Sequence, residues 1–256
     1  MSPVESRNQA GTEQRIVFAH RGLCTQAPEN TMAAFRLAHE AGCTWIETDV
    51  DIIADGTPVI LHDSTLNRTT DHSGSMYALS RHELPHVDAG AWFSPSFAGE
   101  HLPTLHEFID FLNETGMNAN IELKSHEAGA AGAHTLIDVV MRELARLKPG
   151  IEIIVSSFSL LQLAEFHRRV PNYPIGVLFE QRTLGLDWLS VLEICGASYV
   201  HLEDTALLPQ LMALPLKAGY KVNVWTVDSR ARANELFHLG ATGVFTNVAD
   251  SMLDLA

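Results

Sequence analysis

The sequence predicts a (β/α)8 barrel of the TIM type, and three observations predict it. Short, nearly continuous apolar runs alternate with helical stretches, the pattern of a parallel sheet covered by helices. The alternation repeats eight times within 256 residues, which fits a closed barrel better than an open sheet. No GxGxxG turn follows the first strand, as a doubly wound dinucleotide fold would have it.

The strand candidates are 16–20, 44–50, 118–123, 152–157, 174–179, 198–203, 221–227 and 242–247. Helix signals fall between them. Asn30 or Thr31 can cap a first helix that Gly42 ends. Thr104 and Glu107 form a capping box ahead of an apolar stripe of Leu105, Phe108, Ile109 and Leu112, closed by Gly116. Ser159, Asp187 and Ser229 open further helices, Gly196, Gly219 and Gly240 follow helix ends, and 248–256 reads as a short terminal helix.

Two features break the repeat. Asp55-Gly56 between apolar runs is a hairpin signal, and so tight a turn must send residues 59–63 back antiparallel to 44–50. Centring the turn on Asp55-Gly56 places His62 opposite Asp49. Residues 64–103, rich in Ser, His and Gly, are too long for a plain loop and read as a small insertion over one end of the barrel, a lid or specificity element. Residues 1–15 read as a disordered start, and 16–256 as one catalytic barrel domain.

Apolar residues make up 46% and charged residues 19%, an ordinary globular balance. A net charge of −14 argues against nucleic-acid or anionic-membrane binding, which need a basic footprint. Any phosphate must be met by a few local cations and a metal. Cys24, Cys43 and Cys195 have no metal-like spacing and read as buried free thiols of a reducing compartment. A polar N-terminus without an apolar core, and no run of membrane-spanning length, lead to the expectation of a soluble cytoplasmic protein with no stable membrane association. Oligomeric state is left open.

The polar residues cluster where a barrel keeps its site, at the C-terminal strand ends. Glu47 and Asp49 alternate on strand two and face one side, and side-by-side carboxylates repel unless a proton or cation separates them. Glu122 on the next strand can complete an all-oxygen set suited to one hard divalent cation, Mg²⁺ or Ca²⁺. A lone E-x-D is common on exposed strand faces; convergence with Glu122 and the back-folded His62 argues for a site. His20-Arg21-Gly22 supplies an imidazole that can move a proton, a guanidinium shaped for phosphate and a glycine for a sharp turn. Each histidine alone is an unremarkable strand-end residue.

Together these pieces resemble the glycerophosphodiester phosphodiesterase family, in its bacterial, cytoplasmic type. The matching motifs are His20-Arg21-Gly22, Pro28-Glu29-Asn30-Thr31, Glu47-x-Asp49, Asp55-Gly56 leading to His62-Asp63, Ile121-Glu122-Leu123-Lys124, Ser156-Ser157-Phe158 and Val224-Trp225-Thr226, in family order. The resemblance implies Glu47, Asp49 and Glu122 as metal ligands and His20 and His62 as the acid–base pair. It further implies Arg21 and Lys124 on phosphate oxygens, Trp225 packed on the glycerol, and Glu29 and Asn30 near the metal. The expected reaction is hydrolysis of small-molecule glycerophosphodiesters to glycerol 3-phosphate and an alcohol through a cyclic phosphate. A lysophospholipase D or sphingomyelinase D type is the competing enzyme reading, prompted by Met76-Tyr77 and Ala91-Trp92-Phe93, and a non-catalytic barrel is the third. Asn247, where many members have Asp, and Ala54 depart from the family pattern, and neither is expected to touch the residues of the chemistry.

Overall fold

The computed structural model describes residues 15–124 and 129–256. The expected disorder of residues 1–15 falls, Arg15 apart, outside the described residues. Eight parallel strands close into a barrel: β1 (Ile16–His20), β2 (Trp45–Ile52), β4 (Asn118–Leu123), β5 (Ile153–Ser157), β6 (Ile175–Phe179), β7 (Tyr199–Glu203), β8 (Lys221–Trp225) and β9 (Gly243–Thr246). β1 closes the ring, pairing His20 with Glu47 of β2 and Phe18 with Phe245 of β9. β3 (Pro58–Ile60) lies antiparallel on the far end of β2.

Strands buried on both faces require apolar side chains both ways, which is why the sequence reads as apolar runs. Their outer faces join, among the described residues, seven helices in one continuous core. The helices are α1 (Met32–Glu40), α2 (Leu105–Thr115), α3 (Gly129–Leu144), α4 (Leu160–Arg169), α5 (Trp188–Ile194), α6 (Pro209–Lys217) and α7 (Arg230–His238). The inner faces pack Ile16, Phe18, Trp45, Ile154, Tyr199 and Phe245 into a plug. Phe18 stacks on Phe245 with ring centroids 4.3 Å apart and meets Trp45 edge-on, contacts worth about 0.5–1.5 kcal/mol each beyond burial. The barrel is therefore solid below its rim, and chemistry is confined to the top.

The caps form as the sequence indicates. Thr31, rather than Asn30, accepts the Ala34 amide; the Thr104/Glu107 box is complete; and Gly116 adopts the left-handed conformation at φ 72°. Residues 248–256 form two 3₁₀ turns instead of the expected helix, a segment too short for the cooperativity an α-helix needs.

The hairpin exists, but its register differs by one residue. Val50 pairs with Ile60 and Ile52 with Pro58, so Leu61, whose amide donates to the Asp49 carbonyl at 3.2 Å, stands across from Asp49 in place of His62. The loop has three residues, Ala54 to Gly56: Ile53 N–H donates to the Thr57 carbonyl, and Gly56 takes φ +81°. One extra residue in the loop shifts every partner by one. His62 consequently lies beyond the paired segment, where the chain enters the insertion.

Residues 64–103 carry three 3₁₀ turns around a second, small core in which Ile53, Val59 and Leu61 of the hairpin meet Leu66, Met76, Leu79, Leu84, Val87, Ala89 and Leu102. The insertion is thus packed on the hairpin. Among the described residues no helix is long and apolar enough to cross a membrane. All three cysteines are free; Cys43 and Cys195 are buried, while Cys24 is partly exposed beside the site.

Candidate active site

β1 delivers His20 to the rim, and the chain then turns sharply. Arg21 sits at φ 56° and Gly22 at φ 81°, and a Cβ on Gly22 would fall 2.7 Å from the Ala34 backbone of α1. Only glycine permits this approach, and it brings α1 close enough for Asn30 to reach Asp49. Asn30 Nδ2 donates to Asp49 Oδ2 at 2.8 Å, and its Oδ1 accepts the Thr48 hydroxyl at 2.8 Å.

Two-residue alternation on β2 points Glu47 and Asp49 inward, and pairing of Asp49 with Glu122 on β4 adds the third carboxylate. All three are buried, and one oxygen of each lies within 4.8 Å of the others. Two cations face them. Lys124 Nζ is 2.7 Å from Glu122 and 3.3 Å from Asp49, and Arg21 Nε is 3.3 Å from Asp49. Burial works against Asp49 ionising, yet Lys124 and Arg21 hold its carboxyl well below the usual range. Glu47 is in the opposite position: burial, then the charges of Asp49 and Glu122, push it well above that range. Burial also raises Glu122, with Lys124 opposing.

Three anions against two cations leave a buried deficit of positive charge, centred on Glu47. An all-oxygen donor set with that deficit fits one hard divalent cation shared by Glu47, Asp49 and Glu122.

The two histidines are held alike at one nitrogen and differently beyond it. His20 Nδ1 lies 2.7 Å from Asn247 Oδ1; because Asn247 Nδ2 donates to Asp228 at 2.7 Å, the amide presents its oxygen and His20 Nδ1–H donates. Nε2 then faces Glu47 at 3.8 Å. Burial, with the Arg21 charge beside it, brings His20 down to about 4. His62 Nδ1 lies 2.6 Å from Asp63, a carboxylate that can only accept, so the same tautomer results. Burial lowers His62 too, while the charge of Asp49 pulls it back upward.

A pocket of about 100 Å³ is lined by His20, Arg21, Glu47, His62, Glu122 and Trp225. Asp49 and Lys124 join it through Arg21 and Glu122. Trp225 stands on β8 with its ring edge-on to Phe158, and its Nε1 donates to the His201 carbonyl. Both oxygens of Glu29 are engaged by guanidinium groups, Arg21 at 2.7 Å and Arg68 at 2.7 and 2.8 Å. Glu29 is outside the three-carboxylate cluster, whereas Asn30 touches it through Asp49.

Two residues of the site escaped the sequence reading. Asn247 was set aside as a departure remote from the chemistry, and it is the partner of His20; the strand-end Thr-Asn, one barrel neighbour from β1, was the available signal. Arg68 gave no signal beyond being a basic residue five positions after Asp63, and it grips Asp63 and Glu29 together.

A barrel rim that gathers two imidazoles, two cations and a cation-ready carboxylate cluster has the groups that a phosphodiester hydrolase on the TIM fold would need. Comparison with known proteins narrows the class. The sequence profile of the glycerophosphoryl diester phosphodiesterase family matches residues 20–251, and the chain belongs to that family. It is 32% identical over 240 residues to a glycerophosphodiester phosphodiesterase of Caldanaerobacter subterraneus subsp. tengcongensis, covering 94% of this chain and 97% of that one. Among solved structures it resembles an Oleispira antarctica phosphodiesterase in complex with the product sn-glycerol-3-phosphate, with TM-score 0.88 and 31% identity across 94% of this chain and 96% of the other. A glycerophosphodiester phosphodiesterase from Thermotoga maritima shares the fold at TM-score 0.76 and 23% identity, over 96% and 100% of the two chains.

Proposed function

We propose that this chain hydrolyses glycerophosphodiesters to glycerol 3-phosphate and a free alcohol, with His20 and His62 as its acid–base pair. The observation that carries the reading is two imidazoles in one pocket, each with Nδ1 anchored to an oxygen so that Nε2 is the nitrogen that exchanges protons. The product bound in the Oleispira relative supports the substrate class.

Glu47, Asp49 and Glu122 would hold one divalent cation, Mg²⁺ or Ca²⁺, which when bound supplies positive charge to the phosphoryl oxygens. Arg21 and Lys124 add fixed charge at the same place. The glycerol hydroxyl next to the ester carbon attacks phosphorus as one histidine takes its proton. The P–O bond to the alcohol breaks as the other histidine protonates that oxygen. The resulting cyclic phosphate is opened by water, with the two histidines exchanging roles. Trp225 offers an apolar wall for the glycerol carbons.

Of the residues that prompt the lipid-directed alternative, Trp92 is exposed on the insertion, while Met76 and Tyr77 are engaged within the fold. Met76 is fully buried in the insertion, and Tyr77 donates its hydroxyl to Asp51 at 2.7 Å. Three free cysteines fit a cytoplasmic location. Turnover of glycerophosphocholine is expected to exceed that of lysophosphatidylcholine, with a cyclic glycerophosphate seen transiently by ³¹P NMR. Faster release from the lyso-lipid would overturn the substrate class. Chelator should abolish turnover and Mg²⁺ or Ca²⁺ restore it; full activity in excess chelator would remove the metal from the mechanism.

A further inference from the structure

We infer that Arg68, carried by the insertion, is a positioning residue for His62, and that presenting it is what the insertion contributes to catalysis. The inference rests on the acid–base reading of His62. One guanidinium makes two forks. Nε and Nη2 donate to the two oxygens of Asp63 at 2.8 and 2.9 Å; Nη1 and Nη2 donate to the two oxygens of Glu29 at 2.7 and 2.8 Å. Asp63 in turn fixes the His62 ring, and Glu29 fixes Arg21. One side chain therefore sets the support of the histidine and that of the phosphate-facing arginine.

An isolated exposed ion pair contributes little, but this arrangement is neither isolated nor one-pronged. Asp63 is bound on both oxygens, so it cannot rotate about its terminal bond without losing a donor. The Arg68 backbone is fixed as well: the neighbouring Leu66 lies in the insertion's core, its carbonyl accepts the Thr70 hydroxyl at 2.7 Å, and its amide donates to the Gly74 carbonyl at 2.9 Å. The position demands a planar five-donor fork; a lysine supplies a point charge that can satisfy one carboxylate at a time. The sequence between β3 and α2 thereby links its own small core to the orientation of a ring at the barrel rim.

Arg68→Ala is expected to lower kcat about 10- to 100-fold, the scale of a small misplacement of a catalytic group, with KM within about twofold. Arg68→Lys should recover little, and added guanidinium should restore Arg68→Ala more than added ammonium. Combining Arg68→Ala with Asp63→Ala should cost less than the sum of the two single losses, because both remove the support of His62. A kcat for Arg68→Ala within twofold of wild type, a loss confined to KM, or additive losses in the double variant would each overturn the inference. Imidazole ¹⁵N NMR of His62 is independent of turnover: above the His62 pKa, wild type should show the ring protonated at Nδ1 and Arg68→Ala a mixture of tautomers, and an unchanged spectrum would overturn the positioning role. Wild-type protein inert toward every glycerophosphodiester would defeat the proposed function, and the NMR comparison would still decide Arg68.

Discussion

His20 and His62 reach one pocket from two kinds of ground. His20 ends a strand of the closed barrel, and its ring is clasped by a neutral amide, Asn247, from the strand on the other side of the seam. His62 stands past the end of a hairpin, clasped by a carboxylate that an insertion arginine steadies. Both clasps choose the same tautomer, yet only the second adds a negative charge. Deep burial, with the Arg21 charge beside it, holds His20 down to about 4 against the opposing pull of its Asn247 hydrogen bond, and an uncharged ring suits a proton acceptor. Asp63 would stabilise an imidazolium on His62, which suits a proton donor. Within the proposed mechanism, the contrast would make His20 the base of the first step and His62 its acid.

The contrast can be broken most directly by removing each ring. His20→Ala and His62→Ala should each lower kcat by about 10²–10⁴-fold with the fold intact by circular dichroism. On a substrate whose leaving group is nitrophenol, which needs no protonation, His62→Ala should recover most of its loss and His20→Ala should not. Equal rescue of both would dissolve the assignment.

Asp63→Ala should follow, at about 10²-fold in kcat, since His62 loses its tautomer and orientation. A smaller effect is expected from Asn247→Asp, which places a carboxylate where His20 has an amide. A carboxylate stabilises the imidazolium, so the His20 pKa should rise by about one unit or more and the acidic limb of the kcat/KM profile should move up in pH by as much. An unmoved limb would show that His20 does not govern it. Smallest in rate, Leu66→Ala should loosen the insertion's core at a cost of about 2–5 kcal/mol, lower the melting temperature, and reduce kcat through His62. The His20 clasp should be untouched, and its imidazole NMR signals unchanged.

Much of this site was legible because it obeys short-range periods. Glu47 and Asp49 share a face by the two-residue strand period, Glu122 adjoins them through parallel neighbours, and the hairpin announces itself in Asp55-Gly56. The one-residue error at His62 came from the turn: a three-residue loop with Gly56 in the left-handed region carries the same Asp-Gly signature as a two-residue one. His62 reached the pocket despite the slip because it lies beyond the paired segment, where strand alternation no longer dictates its direction. Asn247 and Arg68 were not legible, since their roles exist only in contacts across the fold. His20 and Asn247 are 227 positions apart, and Arg68 and Glu29 are 39 apart. The Arg68 contact leaves no trace in local composition, and that of Asn247 leaves only the strand-end Thr-Asn.

The seam between β1 and β9 has a consequence for the order in which the protein becomes competent. A nascent chain that has emerged as far as β8 already contains both histidines, all three carboxylates and both cations. It still lacks the clasp on His20, because Asn247 directly follows the last strand. Pairing of β9 with β1 is thus what brings Asn247 to the His20 ring, and an open barrel would leave that ring without this partner.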